Sequence, residues 1–255
     1  MSSRDHAHHP ARVAPGEATD TAGVPWARRE LTPSGFESDT GTSDPALRAA
    51  LAGNDEPALM RAVAAARFLV AVVAHADELV PGEDGLVHDA SVDMALVTLR
   101  APDGRTALPA FTGLAELATW DPAARPVPVA ADRMAQAAIA EGCGQIVVDL
   151  GQPHARELRA SQVWALAMRR EWLPPHTDPV VAERLAQVLG PRAEVTAYRT
   201  YAGQPAGTLG LELDLPPGLT QAQVQALLTE LGESLATDGE FRARIDGLAF
   251  RLREG

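Results

Sequence analysis

The chain has 255 residues, of which 46% are hydrophobic, and its formal net charge is −12 because 34 acidic residues outnumber 22 basic ones. Apolar stretches such as Phe68 to Ala74 are far shorter than the ~20 residues of a membrane-spanning helix, and no charged start leads into an apolar signal core, so we expect a soluble, cytoplasmic protein without membrane contact. An acidic chain without a basic run repels nucleic-acid phosphates, and the absence of lysine excludes a Walker-type phosphate loop and Schiff-base chemistry.

The first 40 residues differ in composition from the rest of the chain. They are rich in Ser, Thr, Gly, Pro, Asp and His and poor in large apolar side chains, which predicts a disordered tail over residues 1–40. Within it, Pro25 to Leu31 contains Trp26 and is a candidate docking segment. The folded part is predicted to begin with a helix from Pro45 to Leu51, capped by Ser43 or Asp44.

The first predicted domain alternates helices with strands. A helix from Glu56 to Ala66 leads into the continuous apolar run Arg67 to Val73, a pattern typical of a central strand covered on both faces. Val92 to Leu99 and Thr106 to Phe111 flank the turn sequence Pro102-Asp103-Gly104. These two segments are therefore predicted to form an antiparallel hairpin.

Five further elements complete that domain. Their boundaries follow from apolar spacing and from the intervening prolines and glycines. They are a helix from Gly113 to Thr119, an edge strand from Pro126 to Val129, a helix with its apolar stripe at Ala131, Met134, Ala135, Ala138 and Ile139 that ends at Gly142, a strand from Gln145 to Asp149, and a helix from Glu157 to Met168.

A second, smaller domain is predicted over residues 178–255, after a flexible joint between Trp172 and Asp178. Its elements follow the order α-β-β-α-β. They are a helix from Pro179 to Leu189, paired strands from Ala193 to Tyr201 and Thr208 to Leu215, a helix from Gln221 to Leu235, and a strand from Leu248 to Leu252. The fold class is α/β (α+β): a domain over residues 43–175 with a mixed sheet and flanking helices, followed by this smaller domain.

An ordered series of motifs runs through the first domain. They are Arg67 to Ala74, Asp93-Met94-Ala95-Leu96-Val97-Thr98-Leu99, Pro102-Asp103-Gly104-Arg105, Leu108-Pro109-Ala110-Phe111-Thr112, Trp120-Asp121-Pro122, Arg125-Pro126-Val127-Pro128-Val129 and Val147-Val148-Asp149. In this series the chain resembles the SseB family, named after an enhanced-serine-sensitivity phenotype, from roughly Asp44 to Pro175. The resemblance implies an α/β N-terminal domain and, more loosely, a family-type C-terminal domain over Asp178 to Arg253. It implies no reaction, catalytic residue or cofactor.

The segment from Thr112 to Arg125 is the most distinctive surface stretch of the sequence. Thr112 is placed to cap the following helix, and Asp121-Pro122 starts a turn that directs Arg125 towards the next strand. In one interpretation Asp121 and Arg125 pair with each other or with backbone groups and only fix the loop. In the other, Arg125 binds a carboxylate or phosphate bidentately.

Asp149 ends a strand of parallel type and is followed by Gly151, a place where open α/β sheets often bind ligands, although an Asp there also commonly opens a turn. The single cysteine, Cys143, has no accompanying oxyanion-hole motif, and nothing in the sequence places His154 beside it, so no catalytic residue is assigned. The histidines show no ligand spacing and Gly142-Cys143-Gly144 lacks a dinucleotide fingerprint. We therefore predict no metal and no cofactor.

Two hypotheses about function follow. The preferred one is a non-catalytic interaction or regulatory module that holds a protein partner. The alternative is an enzyme or a binder of a small anionic metabolite that uses Thr112, Asp121, Arg125 and Asp149. A pocket in which Arg125 and Asp149 converge would favour the alternative, and a flat apolar patch would favour the interaction module.

Overall fold

The computed structural model describes residues 35–75 and 93–254. The expected disordered tail over residues 1–40 falls almost wholly outside the described residues, as does the candidate docking segment from Pro25 to Leu31. Residues Thr40–Gly255 form one compact unit. In the other unit, Met1–Asp39, the described residues contain a turn closed by a hydrogen bond of 3.0 Å from the Asp39 amide to the Phe36 carbonyl.

Helices and strands alternate through most of the compact unit. The described helices are α1 (Pro45–Ala52), α2 (Glu56–Ala65), α3 (Leu114–Trp120), α4 (Ala131–Ala140), α5 (Ala160–Ala167), α6 (Pro179–Leu189), α7 (Gln221–Thr237) and α8 (Gly239–Arg244). The described strands are β1 (Arg67–His75), β2 (Asp93–Leu96), β3 (Leu99–Arg100), β4 (Thr106–Phe111), β5 (Arg125–Ala130), β6 (Gln145–Val148), β7 (Arg156–Leu158), β8 (Ala197–Ala202), β9 (Thr208–Leu215) and β10 (Gly247–Glu254).

Strand β1 lies at the centre of a sheet of seven described strands, as its continuous apolar run predicts. Leu69 and Val70 have neighbours on both edges, β4 on one and β5 on the other, both antiparallel to β1. Phe68 and Val70 belong to the larger hydrophobic core, whereas Leu69 and Ala71 belong to a separate core with Phe111. Both faces of β1 are therefore buried, which explains why its side chains do not alternate between polar and apolar.

The predicted hairpin is present, but it is shorter than expected. The turn after Arg100 joins β3 to β4 with Leu99 opposite Ala107 and Arg100 opposite Thr106. The preceding segment, β2, pairs with the far end of β1 instead, where Val72 lies opposite Leu96. The chain therefore changes its partner strand, from β1 for β2 to β4 for β3. This change depends on tertiary packing and is not encoded by the residues of the turn.

A parallel pair, β4 and β6, extends the sheet on the side of β1 away from β5, and β7 pairs with β6 antiparallel. Strand β7 corrects the sequence prediction, since a helix was expected from Glu157 and the structure begins α5 only at Ala160. The Arg156 guanidinium donates to the backbone carbonyls of Leu51, at 2.7 Å, and Gly53 after α1. These contacts, distant in sequence, hold residues 156–158 extended.

The helices start and end largely where the sequence predicts. The Asp44 carboxylate caps α1 by accepting a hydrogen bond of 2.7 Å from the Ala46 amide. Helix α4 buries Met134 and Ala138 as expected, but Ile139, which the apolar stripe included, is 50% exposed. The stripe in the sequence is therefore wider than the face that the sheet covers.

The C-terminal part contains a second sheet with the strand order β10-β9-β8. Strand β9 is parallel to β10 and antiparallel to β8. Leu209, Leu211 and Leu213 of β9 belong to a core shared with α6, α7 and α8. The predicted order α-β-β-α-β is present with one addition, the short helix α8 before the last strand.

The segment between the two sheets is packed rather than an exposed joint. Trp172 is buried, and its indole nitrogen donates to the Ser161 hydroxyl at 3.1 Å. Asp178 is 3% exposed and accepts a hydrogen bond of 2.7 Å from Arg244. The burial of Trp172 and Asp178, the two ends of this segment, argues against the expected flexible joint. The division into domains at 43–175 and 178–255 stays a prediction.

Across residues 35–75 and 93–254, no helix combines the length and the apolar character that spanning a membrane requires.

Candidate functional site

Thr112 and Asp149, two of the four residues singled out from the sequence, lie next to each other. Thr112 follows β4 directly and Asp149 follows β6 directly, and the carboxyl ends of these parallel strands meet at one edge of the sheet. The Thr112 amide donates to Asp149 Oδ1 at 2.8 Å, and the Thr112 hydroxyl donates to Asp149 Oδ2 at 2.8 Å. This contact corrects the expectation that Thr112 caps the next helix, because α3 has Gly113 at its N-cap and no side-chain cap.

His154 completes this buried polar cluster. Its Nε2 lies 3.1 Å from Asp149 Oδ2, and its side chain is 20% exposed. Asp149 itself has no exposed surface and adopts a left-handed backbone conformation with φ of 52°, which Asp tolerates better than most residues. With both carboxylate oxygens bonded inside the protein, Asp149 joins the ends of two strands.

Asp121 and Arg125 lie apart from this cluster and from each other. Asp121 opens a turn by accepting a hydrogen bond of 2.8 Å from the Ala123 amide, which matches the interpretation that it fixes the loop through backbone groups. Arg125 begins the edge strand β5 and is exposed. Within the described ranges 35–75 and 93–254, its guanidinium contacts no carboxylate, so the expected Asp121–Arg125 pair is absent.

The sheet also keeps Arg125 away from Asp149. From β6 to β5 the sheet passes through β4 and β1, so three strand spacings of about 4.8 Å place the two strands about 14 Å apart. Arg125 is also displaced from Asp149 along the strand direction. Just past the end of β6, Asp149 is level with Leu69 of β1, whose β5 partner is Pro128. Arg125 lies three residues further along, opposite Val72. Arg125 and Asp149 therefore do not converge on one ligand.

A groove on the helical side of the large sheet was not predicted from the sequence. It has a volume of about 590 Å³ and is lined by α2, the start of α4, and the end of α5 with the residues that follow it. The floor is apolar and consists of Met60, Ala64, Ala65, Leu166 and Trp172. The rim is charged and consists of Arg61, Asp132, Arg169, Arg170 and Glu171. We refer to these ten residues as the α2–α5 groove.

Arg169 stands in this groove with an unusual backbone. Helix α5 ends in a Schellman motif, in which the Arg170 amide donates to the Ala165 carbonyl at 2.8 Å and the Arg169 amide to the Leu166 carbonyl at 3.0 Å. Arg169 occupies the left-handed position of that motif, with φ of 53°, where glycine is the usual residue. Because a side chain there costs about 1–2 kcal/mol, the arginine is a backbone outlier in the rim of the groove.

The three rim arginines differ in how they are held. Arg169 donates to Asp132 at 2.7 Å, and this hydrogen bond holds the pKa of the Asp132 carboxyl below its usual value. Arg170 bonds Glu240 and lies 5.2 Å from the Trp164 ring centre, a cation–π contact. Arg61 is exposed, and no carboxylate contacts it in the part of the chain that the structure describes. An incoming anion would therefore meet Arg61 without displacing a partner.

The cysteine and the potential metal ligands of the described residues are not arranged as a reactive centre. Cys143 is 3% exposed at the end of α4, and this burial raises the pKa of its thiol, which lowers the thiolate fraction at neutral pH. Among the described residues, no three His, Cys, Asp or Glu side chains are arranged to hold a metal ion. The groove lining contains no Ser, Thr, Cys or His among its described residues.

The structure is that of a mixed-sheet α/β domain whose helical side carries an open groove with an apolar floor and a charged rim. Residues 44–165 match the family model of the SseB protein N-terminal domain, which confirms the resemblance seen in the sequence. Residues 44–165 therefore form a domain of the SseB N-terminal type. The match ends before the second sheet, so a family-type C-terminal domain stays a prediction. No curated protein and no solved structure matches the chain.

Proposed function

We propose that the protein is a non-catalytic interaction module and that the α2–α5 groove binds an acidic segment of a partner protein. The observation that carries the proposal is the combination of an apolar floor with three arginines on the rim. A floor of this kind accepts a large apolar side chain, and arginine forks bind carboxylates bidentately. The partner segment would present one large apolar side chain flanked by Asp or Glu.

The charge distribution supports an acidic partner. The whole chain carries a net charge of −12, yet the groove lining has three arginines against two carboxylates. Arg169 bonds Asp132 and Arg170 bonds Glu240, which leaves Arg61 to receive an anion on a surface that is less acidic than the chain as a whole. Such an arrangement favours approach of an acidic segment at this face over the remainder of the surface.

The shape of the groove supports a protein segment over a metabolite. On α2, Ala64 and Ala65 are exposed and small, so the backbone of a partner can approach the helix closely. Of the other floor residues, Met60, Leu166 and Trp172 are buried and suit a single anchoring side chain. The groove lacks the nucleophile and base pair that acyl transfer requires, which supports binding without catalysis.

The backbone of Arg169 is an independent support. At the left-handed position of a Schellman motif glycine is favoured, and the ion pair of the exposed Arg169 side chain with Asp132 offsets only about 0.2–1 kcal/mol of the strain. A side chain at this position is best explained by a role outside folding. Contact with a ligand in the groove is such a role.

The proposal is tested by fluorescence anisotropy with a labelled peptide containing one tryptophan flanked by glutamates, and with the same peptide carrying glutamines instead. We expect binding of the acidic peptide, and weaker binding by Arg61→Ala. Arg125→Ala is the matched control, since Arg125 is likewise exposed and contacts no carboxylate among the described residues. Loss of binding in Arg125→Ala but not in Arg61→Ala would instead favour the loop from Thr112 to Arg125.

A small anionic ligand is separated from a protein segment in the same assay. Succinate and inorganic phosphate are added as competitors at millimolar concentration. Full displacement of the peptide by either one at a concentration where sodium chloride has no effect would contradict the proposal, because the apolar anchor would then contribute nothing.

A further inference from the structure

Strand β10 is an edge of the three-stranded sheet. It pairs with β9 over eight residues, Gly247 to Glu254, and with no other strand of the described chain. Alternate backbone amides and carbonyls of β10 therefore face outward without a partner among the described residues. Long exposed edges of this kind pair readily with an added strand.

An apolar groove lies beside this edge on the helical face of the sheet. It has a volume of about 340 Å³ and is lined by residues that include Val224 and Leu228 of α7 and Phe250 of β10. Leu252, two residues after Phe250 and hence on the same face, is 42% exposed. Every second side chain of a strand added to β10 would project towards this apolar surface.

The opposite face of the edge is basic. Arg251 and Arg253 are 62% and 52% exposed, and their nearest carboxylate atoms on Glu212 and Asp214 lie 3.6–3.8 Å away, too far for hydrogen bonds. Arg199 of β8 shares the same two carboxylates, so this face carries three arginines against two acids. The alternate side chains of an added strand would meet Arg251, which also lies 4.8 Å from the centre of the Tyr201 ring, and Arg253, which is held by these long ion pairs.

We infer that β10 is a docking edge for an extended segment of a partner protein in which apolar and acidic residues alternate. The backbone of the segment pairs with β10, its apolar side chains lie on Val224, Leu228 and Phe250, and its carboxylates bind Arg251 and Arg253. A second copy of this chain fits less well. Antiparallel pairing of two β10 strands would bring the Arg251 and Arg253 side chains of both copies onto one face, between two molecules that each carry −12.

The test uses a labelled octapeptide of alternating valine and glutamate, and a charge-reversed octapeptide of alternating valine and lysine, titrated against the full chain. We expect the acidic peptide to bind and Arg253→Glu to weaken its binding about tenfold or more, as the loss of a charge-assisted hydrogen bond predicts. Arg199→Glu is the matched control, because Arg199 is similarly exposed but lies on β8, the opposite edge of the sheet. It should change the affinity less than about twofold. The lysine peptide should bind Arg253→Glu better than it binds the unchanged protein.

Backbone pairing is read out separately by amide hydrogen exchange. Bound peptide should protect β10 amides and leave those of β8 unchanged. The inference is overturned if the acidic peptide does not bind at millimolar concentration, if Arg199→Glu weakens binding as much as Arg253→Glu, or if β10 amides gain no protection. Concentration-dependent dimerisation that Arg253→Glu abolishes would identify a second copy as the occupant and would equally overturn it. Arg61→Ala should leave this binding unchanged, which separates it from binding in the α2–α5 groove.

Discussion

Replacing Thr112 by valine tests whether the Thr112–Asp149 contact is structural. Valine keeps the shape of threonine but removes the hydroxyl, so Asp149 Oδ2 loses its 2.8 Å donor and keeps only the 3.1 Å contact with His154. Both Thr112 and Asp149 are buried, at 2% and 0% exposure, so water cannot replace the lost donor without rearrangement. A hydrogen bond to a charged group contributes about 1.5–3 kcal/mol. For a folded unit of this size, such a loss lowers the melting temperature by about 3–12 °C.

The assay is thermal and urea unfolding of Thr112→Val beside the unchanged chain, with peptide binding measured on both. Thr119→Val is the matched control. Its hydroxyl donates to the Ala115 carbonyl at an exposed site, so we expect a change within about 0.5 kcal/mol. The reasoning is refuted if Thr112→Val unfolds like the unchanged chain. If Thr112→Val keeps its stability but loses peptide binding, Thr112 and Asp149 become candidates for a ligand site again.

Three further predictions concern the groove and the cysteine. The pKa of Asp132 is lowered by its hydrogen bond from Arg169, so the pair stabilises the folded chain above the usual Asp pKa and loses this effect as the pH falls through the lowered value. Asp132→Asn should therefore cost about 0.2–1 kcal/mol at pH 7 and nothing at strongly acidic pH, as urea unfolding would measure, and it should strengthen binding of the acidic peptide. A difference from the unchanged chain that persists undiminished in acid would contradict this. Arg169→Gly relieves about 1–2 kcal/mol of left-handed strain and removes an ion pair of about 0.2–1 kcal/mol, so stability should stay unchanged or rise by up to about 2 kcal/mol while peptide binding weakens. If binding is retained, Arg169 has no part in the site. Because burial raises the pKa of Cys143, a maleimide should label the native chain slowly at pH 7 and the urea-unfolded chain quickly, and rapid stoichiometric labelling of the native chain would disprove the buried, protonated thiol.

Local patterns in the sequence were sufficient for most of the fold. The apolar run at β1 and the Asp44 cap of α1 are each encoded within a few residues, and the structure confirms them. The failures occur where partners distant in sequence decide. Residues 156–158 have helix-compatible chemistry, yet Arg156 bonds the end of α1 about 100 positions earlier, and pairing with β6 holds them extended.

The candidate site was also predictable only in part, because contacts between residues distant in sequence decide the rest. Thr112 and Asp149 were found because strand ends can be read locally, but their mutual contact depends on β4 and β6 being neighbours, which no local pattern states. The α2–α5 groove was not found because its residues come from three separate segments, and each arginine looks like an ordinary solvated charge in its own segment. The sequence gives no local signal at Arg169, because α2, α7 and α8 also end without glycine or asparagine and their caps are extended. The left-handed backbone of Arg169 is visible only in the structure, and strain without a folding benefit is where a binding residue should be sought.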